Sequence, residues 1–172
     1  MDILSIIKSE HREVSALFDK AQKCEPGDDQ LRELASKIEQ KLTLHLSIEE
    51  RLFYSTLRDR AQDDEEKVDV FEAYTEHEVA KHLMTMLKSG RRNNDRFKAE
   101  LQVLGESVKH HVQEEESTVF GVAREVLDRE ELDELGKKWE AAKNRALAKH
   151  TNGTASNGKA RSSKHKTLAR SR

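Results

Sequence analysis

Two copies of the pattern H-x-x-x-E-E constrain this chain more than any other feature of its sequence. The first copy runs from His45 to Glu50 and the second from His111 to Glu116, 66 residues later. The same shift of 66 residues lays His11 on His77. One gapless offset therefore matches two histidines and a carboxylate pair in each half of the chain. The repeat predicts two related helix pairs whose matched side chains meet in the interior.

The composition favours an all-α fold. Charged residues make up 37% of the 172 residues, aromatic residues only 5%, and there is a single Pro. Long-chain helix formers dominate, and the Val/Ile/Thr runs typical of strands are missing. Apolar residues recur at helical spacing in four long segments, near residues 2–23, 31–53, 70–87 and 97–119. Short loops between them predict an up-down-up-down four-helix bundle with a pseudo-twofold internal duplication.

The C-terminal part differs in charge from the rest. A short fifth helix is predicted from about Arg129 to Ala148. From Lys149 onward there are seven Lys/Arg and no Asp/Glu, whereas the first 148 residues hold 24 basic and 33 acidic residues, a net charge of −9. We therefore expect one helical domain over residues 1–148 and a basic, disordered tail over residues 149–172. The tail could contact nucleic-acid phosphates; the alternative is a solubilising terminus, since no aromatic residues are interleaved for base stacking.

The sequence predicts a soluble, cytoplasmic protein. No apolar run approaches the roughly 18 residues of a membrane helix, and the N-terminus shows no signal-peptide pattern. The single cysteine, Cys24, lies beside Pro26 and Gly27 on a predicted loop. One cysteine cannot form an internal disulfide, which fits a reducing compartment.

Six side chains on the apolar stripes are candidate metal ligands. They are His11, His45, Glu49, His77, His111 and Glu115. His45 and Glu49 are four residues apart and project side by side. Neutral imidazole combined with carboxylate suits iron, manganese or zinc. Two interior carboxylates need a compensating charge, so the joint pattern favours a dinuclear metal site over a bundle held by buried His–Glu hydrogen bonds.

The ligand count leaves room at such a site. Four imidazoles and two bridging carboxylates supply about eight of the roughly twelve positions that two six-coordinate ions need. The others could take an oxo or hydroxo bridge and a small ligand. Dioxygen, nitric oxide or peroxide would be small enough to bind there.

Other polar residues near these stripes are harder to place from spacing alone. His110 should face water, and His82 is ambiguous because it follows His77 by five residues. Four further glutamates flank the candidate ligands: Glu10, Glu50, Glu76 and Glu116. We expect Glu50 and Glu116 to point partly outward. We interpret Glu10 and Glu76 as solvated helix charges rather than as partners that orient imidazoles.

The order His, H-x-x-x-E, His, H-x-x-x-E on four consecutive helices resembles the hemerythrin-like HHE cation-binding family. The resemblance covers about residues 1–127, and the segments Glu10–Val14 and Glu49–Phe53 are also similar to the family's own. It implies a four-helix bundle with a non-haem di-iron centre, held by the six candidate residues. Two iron ions joined by an oxo or hydroxo bridge are therefore the expected cofactor, with manganese or zinc as alternatives.

Two departures from the oxygen-carrying hemerythrins affect the expected function. Those proteins place a second His where Lys81 stands here, and an Asp five residues after the last His, where this chain has Glu115 at four and Glu116 at five. This chain is more similar to the symmetric bacterial and iron-sensing branch. We expect it to bind or sense oxygen, nitric oxide, peroxide or iron in a stress response. The alternatives are a peroxide-consuming enzyme and a regulatory module that uses the basic tail.

Overall fold

The computed structural model describes residues 1–89 and 94–161, and it is helical throughout the long segments that the sequence predicts. The helices are α1 Ile3–Gln22, α2 Asp29–Glu49, α3 Ser55–Arg60, α4 Asp64–Ser89, α5 Asp95–Glu114, α6 Phe120–Val126 and α7 Arg129–Arg161. Two π-helical turns, Glu50–Tyr54 and Glu115–Val119, join α2 to α3 and α5 to α6. The predicted all-α bundle is therefore confirmed.

Local sequence signals set the helix boundaries. Asp2 begins α1 by accepting a hydrogen bond from the Ser5 backbone N–H at 2.9 Å, and Asp28 caps α2 in the same way. Between them the chain reverses at Gly27, whose φ of 94° favours a residue without a Cβ. Asn94 caps α5, while residues 90–93, which hold one of the predicted short loops, lie outside the described residues.

The helices pack as two pairs. α1 packs on α2 and α4 packs on α5, and the pairs meet where α1 contacts α5 and α2 contacts α4. This arrangement matches the two halves that the 66-residue repeat predicts. α7 closes one side of the bundle by packing on α1 and α2.

α7 is longer than the sequence predicts. It continues to Arg161, past the expected end near Ala148, although residues 149–161 carry no apolar stripe that would indicate a helix. The predicted disorder of residues 162–172 lies outside the described residues. None of the described helices is long and apolar enough to cross a membrane.

Two apolar clusters fill the bundle and leave a polar layer between them. The first contains Ile7, Ile48 and Ala73, and the second contains Val14, Leu42 and Ala80. A histidine lies between Ile7 and Val14 on α1, between Leu42 and Ile48 on α2, and between Ala73 and Ala80 on α4. The polar layer therefore crosses the bundle at about the middle of its long helices.

Candidate metal centre

The polar layer is made of the six side chains that the repeat singled out. His11, His45, Glu49, His77, His111 and Glu115 are between 0% and 6% exposed. Within the described part of the chain, these six are the buried polar or charged residues. Each is held on a long helix or at the start of a π turn, with apolar residues above and below. The structure thus brings every candidate ligand together, while their binding of a metal remains a prediction.

The six side chains form two overlapping groups around Glu49. Potential ligand atoms of His11, His45 and Glu49 all lie within 4.8 Å of one another, and so do those of Glu49, His77 and His111. Glu49 Oε2 is 3.2 Å from His45 Nε2 and 3.3 Å from His77 Nε2. One carboxylate therefore lies between an imidazole of its own half and one of the other half, as a carboxylate that bridges two ions would.

Glu115 takes the equivalent place for the other pair of imidazoles. Its Oε2 lies 3.2 Å from His11 Nε2 and 3.9 Å from His111 Nε2. Its Oε1 accepts a hydrogen bond of 2.8 Å from the hydroxyl of Tyr54, a fully buried residue. Each half of the repeat thus supplies a carboxylate that reaches across to the first histidine of the other half.

All four imidazoles turn Nε2 inward and Nδ1 outward, and every Nδ1 meets a glutamate. The pairs are His11–Glu116 at 3.1 Å, His45–Glu10 at 2.9 Å, His77–Glu50 at 2.8 Å and His111–Glu76 at 2.9 Å. A carboxylate on one ring nitrogen fixes the tautomer and the ring orientation of a metal-binding histidine. The interpretation of Glu10 and Glu76 as solvated helix charges was therefore wrong, and Glu50 and Glu116 turn toward imidazoles although they keep some exposure.

Two neighbouring glutamates at the start of each π turn serve one ring. Ser55 N–H donates to the carbonyl of Glu50, five residues back, which widens the turn that follows Glu50. Glu49 and Glu50 then approach opposite nitrogens of His77. Glu115 and Glu116 do the same to His11.

A basic side chain stands behind each of the outer glutamates. Lys8 pairs with Glu116 at 2.8 Å, Lys81 with Glu50 at 2.8 Å, Lys143 with Glu10 at 2.6 Å and His110 with Glu76 at 3.4 Å. Lys81 stands where the oxygen-carrying proteins place a histidine. Its amine reaches the outer carboxylate rather than the inward imidazole nitrogens. Lys81 therefore contacts the centre from outside, through Glu50.

The electrostatics of the layer favour positive charge at its middle. Burial alone would lower the pKa of His45, but the carboxylates of Glu49 and Glu10 outweigh it and raise that pKa to about 10. Burial opposes the charge of Glu49, yet the imidazoles of His45 and His77 hold its pKa well below the usual range. Burial and the charge of Glu115 raise the pKa of Tyr54, which keeps its hydroxyl protonated as a donor. Without a metal, protons must supply the cationic charge that these carboxylates require.

The inward atoms fit a cation better than they fit one another. Six buried side-chain N or O atoms in the described residues make no hydrogen bond, and five belong to this layer. They are His11 Nε2, His45 Nε2, both oxygens of Glu49, and Glu115 Oε2. The imidazoles lie at ion-pair distance from these carboxylates but are not aligned for hydrogen bonds. Since an orphaned buried polar atom costs roughly 1–3 kcal/mol, a bound metal would satisfy groups that the protein leaves unpaired.

A small cavity adjoins the imidazoles on the side of the second apolar cluster. Its volume is about 10 Å³, close to the space of one water molecule. All four histidines line it together with apolar residues: Val14, Leu42, Leu46, Ala80, Val108 and Val112. The cavity gives a small, weakly polar ligand a place beside the inward nitrogens.

Three functional contacts come from residues that the sequence did not identify as part of the site. Tyr54 is the aromatic residue nine positions after His45. Trp139 and Lys143 both donate to Glu10 from α7, at 3.2 Å and 2.6 Å. A regular helical period places Tyr54 on the opposite side of the helix from His45, and no spacing links α7 to the repeat. The ambiguous His82 is exposed and lies outside both groups of potential ligands.

Comparison with known proteins gives three matches. The family model of the hemerythrin HHE cation binding domain matches residues 2–123. A protein from Nostoc sp. called a DNA nickase is 30% identical over 146 residues; these are 84% of this chain but 40% of that protein, so the chain spans about two fifths of its relative. The crystal structure of a hemerythrin HHE cation binding domain-containing protein from Mycobacterium kansasii superposes with a TM-score of 0.72 at 21% identity, over 87% of this chain and 91% of that one. That structural match supports the fold.

Proposed function

The chain belongs to the hemerythrin HHE cation-binding domain family, and from that premise we propose that its buried polar layer holds two iron ions and binds a small oxidant or diatomic ligand. One ion would be held by His11 and His45, the other by His77 and His111, with Glu49 and Glu115 between them. Manganese and zinc accept the same donor atoms and are the competing metals. The observation that carries the proposal is the set of unpaired inward atoms in a layer otherwise closed by hydrogen bonds.

The iron pair would supply redox chemistry and open coordination positions, and the protein would control access and orientation. The four outer glutamates meet Nδ1 of the imidazole rings and hold each Nε2 directed inward, where it could bind a metal ion. The cavity of about 10 Å³ beside the imidazoles has room for one molecule near the size of water. These features suit the binding or sensing of oxygen, nitric oxide or peroxide, or of iron itself, in a stress response.

Metal content per chain tests this proposal most directly. Protein from iron-replete cells should contain about two iron ions per chain and show near-ultraviolet absorption from a bridged pair. His45→Ala should lose iron, while His82→Ala, which removes an exposed histidine from α4, should keep it. A single zinc, or no metal after anaerobic reconstitution, would contradict the proposal. If the iron-loaded protein consumes peroxide faster than the same amount of free iron does, the result would support the alternative of a peroxide-consuming enzyme.

A second candidate function is contact with DNA, favoured by the relative called a DNA nickase and by one basic groove. The groove lies between α2 and α7 and has a volume of about 790 Å³. Its basic lining residues are Arg51, Lys137, Lys138, Arg145 and Lys149, accompanied by the single acidic residue Glu134. Clustered lysine and arginine side chains bind phosphate in a salt-dependent way. The groove and the basic tail could therefore bind DNA although the rest of the protein is acidic.

Supercoiled plasmid tests this candidate. Conversion to the open-circular form by the iron-loaded chain, lost in His45→Ala, would support nicking that depends on the metal pair. Salt-sensitive retention without conversion, weakened by Lys137→Gln with Arg145→Gln, would support binding through the groove. A variant truncated after residue 149 keeps the groove and lacks the tail, so its DNA binding shows which of the two is needed. Equal mobility of the plasmid with and without protein at low salt would end this candidate.

A further inference from the structure

α7 lies outside the residues that the family model matches, yet its side chains reach the candidate metal centre. Trp139 is fully buried, and its Nε1–H donates to Glu10 Oε1 at 3.2 Å. The Lys143 amine donates to the same oxygen at 2.6 Å. The other oxygen of Glu10 meets His45 Nδ1 at 2.9 Å. A continuous chain of contacts therefore runs from α7 through one carboxylate to one candidate ligand.

The equivalent chain in the other half is anchored much more weakly. Glu76 meets His111 Nδ1 at the same 2.9 Å, so the two carboxylate–imidazole contacts are alike. Behind Glu76 stands His110, 65% exposed, whose Nε2 lies 3.4 Å from the second oxygen. Behind Glu10 stand a buried indole N–H and a lysine ammonium. Two donors, one of them charged, restrict a carboxylate more than one exposed imidazole does.

The backbone also ties α7 to the helix that carries Glu10. A Cβ at Gly136 would collide with the carbonyl oxygen of Met1, so α7 and the start of α1 approach at backbone distance. The Trp139 ring packs edge-on against the His45 ring, with 5.4 Å between ring centroids. α7 thus contacts His45 directly and also supports it through Glu10.

We propose that Trp139 and Lys143 are positioning residues that hold Glu10, and through it His45, so that the ion beside His11 and His45 exchanges more slowly than the ion beside His77 and His111. The inference rests on the proposed dinuclear centre. Outer partners of metal-binding histidines typically change metal affinity by about 10–100-fold. Since α7 supports one half only, it makes two otherwise similar ion positions unequal.

The rate at which iron leaves the loaded protein tests the inference. With excess chelator, the wild-type protein should release its two irons in two phases. Lys143→Met, which keeps the stem and removes the charge, should speed the slow phase by about tenfold, and Lys143→Arg should largely restore it. Trp139→Phe, which keeps a ring and removes the N–H donor, should act in the same direction. Lys138→Met removes a lysine of the same helix that pairs with Glu134, and His110→Gln alters the other half; neither should change the slow phase.

A readout from the metal-free protein separates this inference from the proposed function. The Nδ1–H groups of His45 and His111 should give separate signals in nitrogen-15 NMR spectra, and each Nδ1 proton should exchange with water at its own rate. Lys143→Met should speed the exchange of the His45 signal and leave that of His111 unchanged. Equal exchange in variant and wild type, or an equal change in both signals, would overturn the positioning role. If the wild-type protein holds fewer than two irons, the proposed function falls and this exchange alone decides the inference.

Discussion

The two halves of the centre share their ligands and differ in what surrounds them. His11 and His45 in one half match His77 and His111 in the other, and each of the four rings has an outer glutamate. The aromatic residues at matched positions are not alike. Tyr54 donates a hydrogen bond to Glu115 across the centre, whereas its counterpart is Phe120, which has no hydroxyl.

The anchoring of the outer glutamates differs in the same way. α7 supports Glu10 with an indole and an ammonium, while Glu76 has the exposed His110 behind it. The repeated residues thus create the donor set, and the unrepeated residues make its two sides chemically distinct. A symmetric set of candidate ligands is therefore no guide to symmetric behaviour.

The largest expected effect comes from the carboxylate that belongs to both groups of candidate ligands. Glu49→Gln removes a charge that lies between His45 and His77, so both ions should be lost and iron per chain should fall close to zero. Glu115→Gln should retain more iron, because Tyr54 can still donate to the amide oxygen of the glutamine. Elemental analysis of the two purified variants makes the comparison. Equal iron content would show that the two carboxylates are equivalent despite their different partners.

Metal removal should have the next largest effect. A ligand that binds only the native state at a hundred times its Kd stabilises that state by about 2.7 kcal/mol. Chelation should therefore lower the urea midpoint of the wild-type protein. Glu49→Gln should unfold at the same midpoint with and without chelator. An unchanged wild-type midpoint would mean that the polar layer is held by hydrogen bonds alone.

The Tyr54 hydroxyl distinguishes the two sides in the absence of metal. Tyr54→Phe should destabilise the metal-free protein by about 1.5–3 kcal/mol, since it removes a hydrogen bond to a buried charged group. Tyr74→Phe is the matched control. It removes a hydroxyl that donates to a backbone carbonyl in a part-buried position, and about 0.5–1.5 kcal/mol is expected there. Equal losses in urea unfolding would remove Tyr54 as a source of asymmetry.

The last comparison is a pH dependence at Glu10. Burial opposes its charge, but contacts with His45 and Lys143 outweigh burial and lower its pKa from 4.5 to about 2. A lowered carboxyl pKa stabilises the native state above pH 4.5, and that stability is lost as the pH falls toward 2. In metal-free protein, Glu10→Gln should therefore flatten the acid side of the stability curve.

Glu76→Gln is the control for that measurement, because Glu76 makes the same imidazole contact without Trp139 or Lys143 behind it. Urea midpoints measured across this pH window should change less for Glu76→Gln than for Glu10→Gln. Identical curves for the two variants would mean that α7 adds nothing to the charge of Glu10.

The bundle and the meeting of the six side chains could be predicted because both depend on periodicity. Apolar spacing identified the long helices, and one offset of 66 residues matched the candidate ligands across the halves. The burial of Tyr54 could not be predicted from a regular period of 3.6 residues, because that period places it on the opposite side of the helix from His45, and the π turn Glu50–Tyr54 changes the helical phase between them. Nothing in the composition of these segments predicts a π turn.

The contribution of α7 was missed for a different reason. Trp139 and Lys143 fit an ordinary amphipathic helix, and their partner Glu10 is some 130 positions away in sequence. Only the packing of α7 on α1 brings them together. The longer extent of α7 was also hidden, since residues beyond Ala148 offer no apolar face to read.

The π turns set a rule for anyone who would rebuild this centre on an engineered scaffold. A designer who copies the inward histidines and glutamates onto ideal α-helices would reproduce the donor set at the right spacing. Tyr54 lies nine residues after His45, so at about 100° per residue it would then project from the opposite side of the helix, and Glu115 would lose the hydroxyl that donates to it. Such a copy would contain each ligand but leave one buried carboxylate without its donor. The wide turn Glu50–Tyr54 is therefore a part to be transplanted together with the ligands.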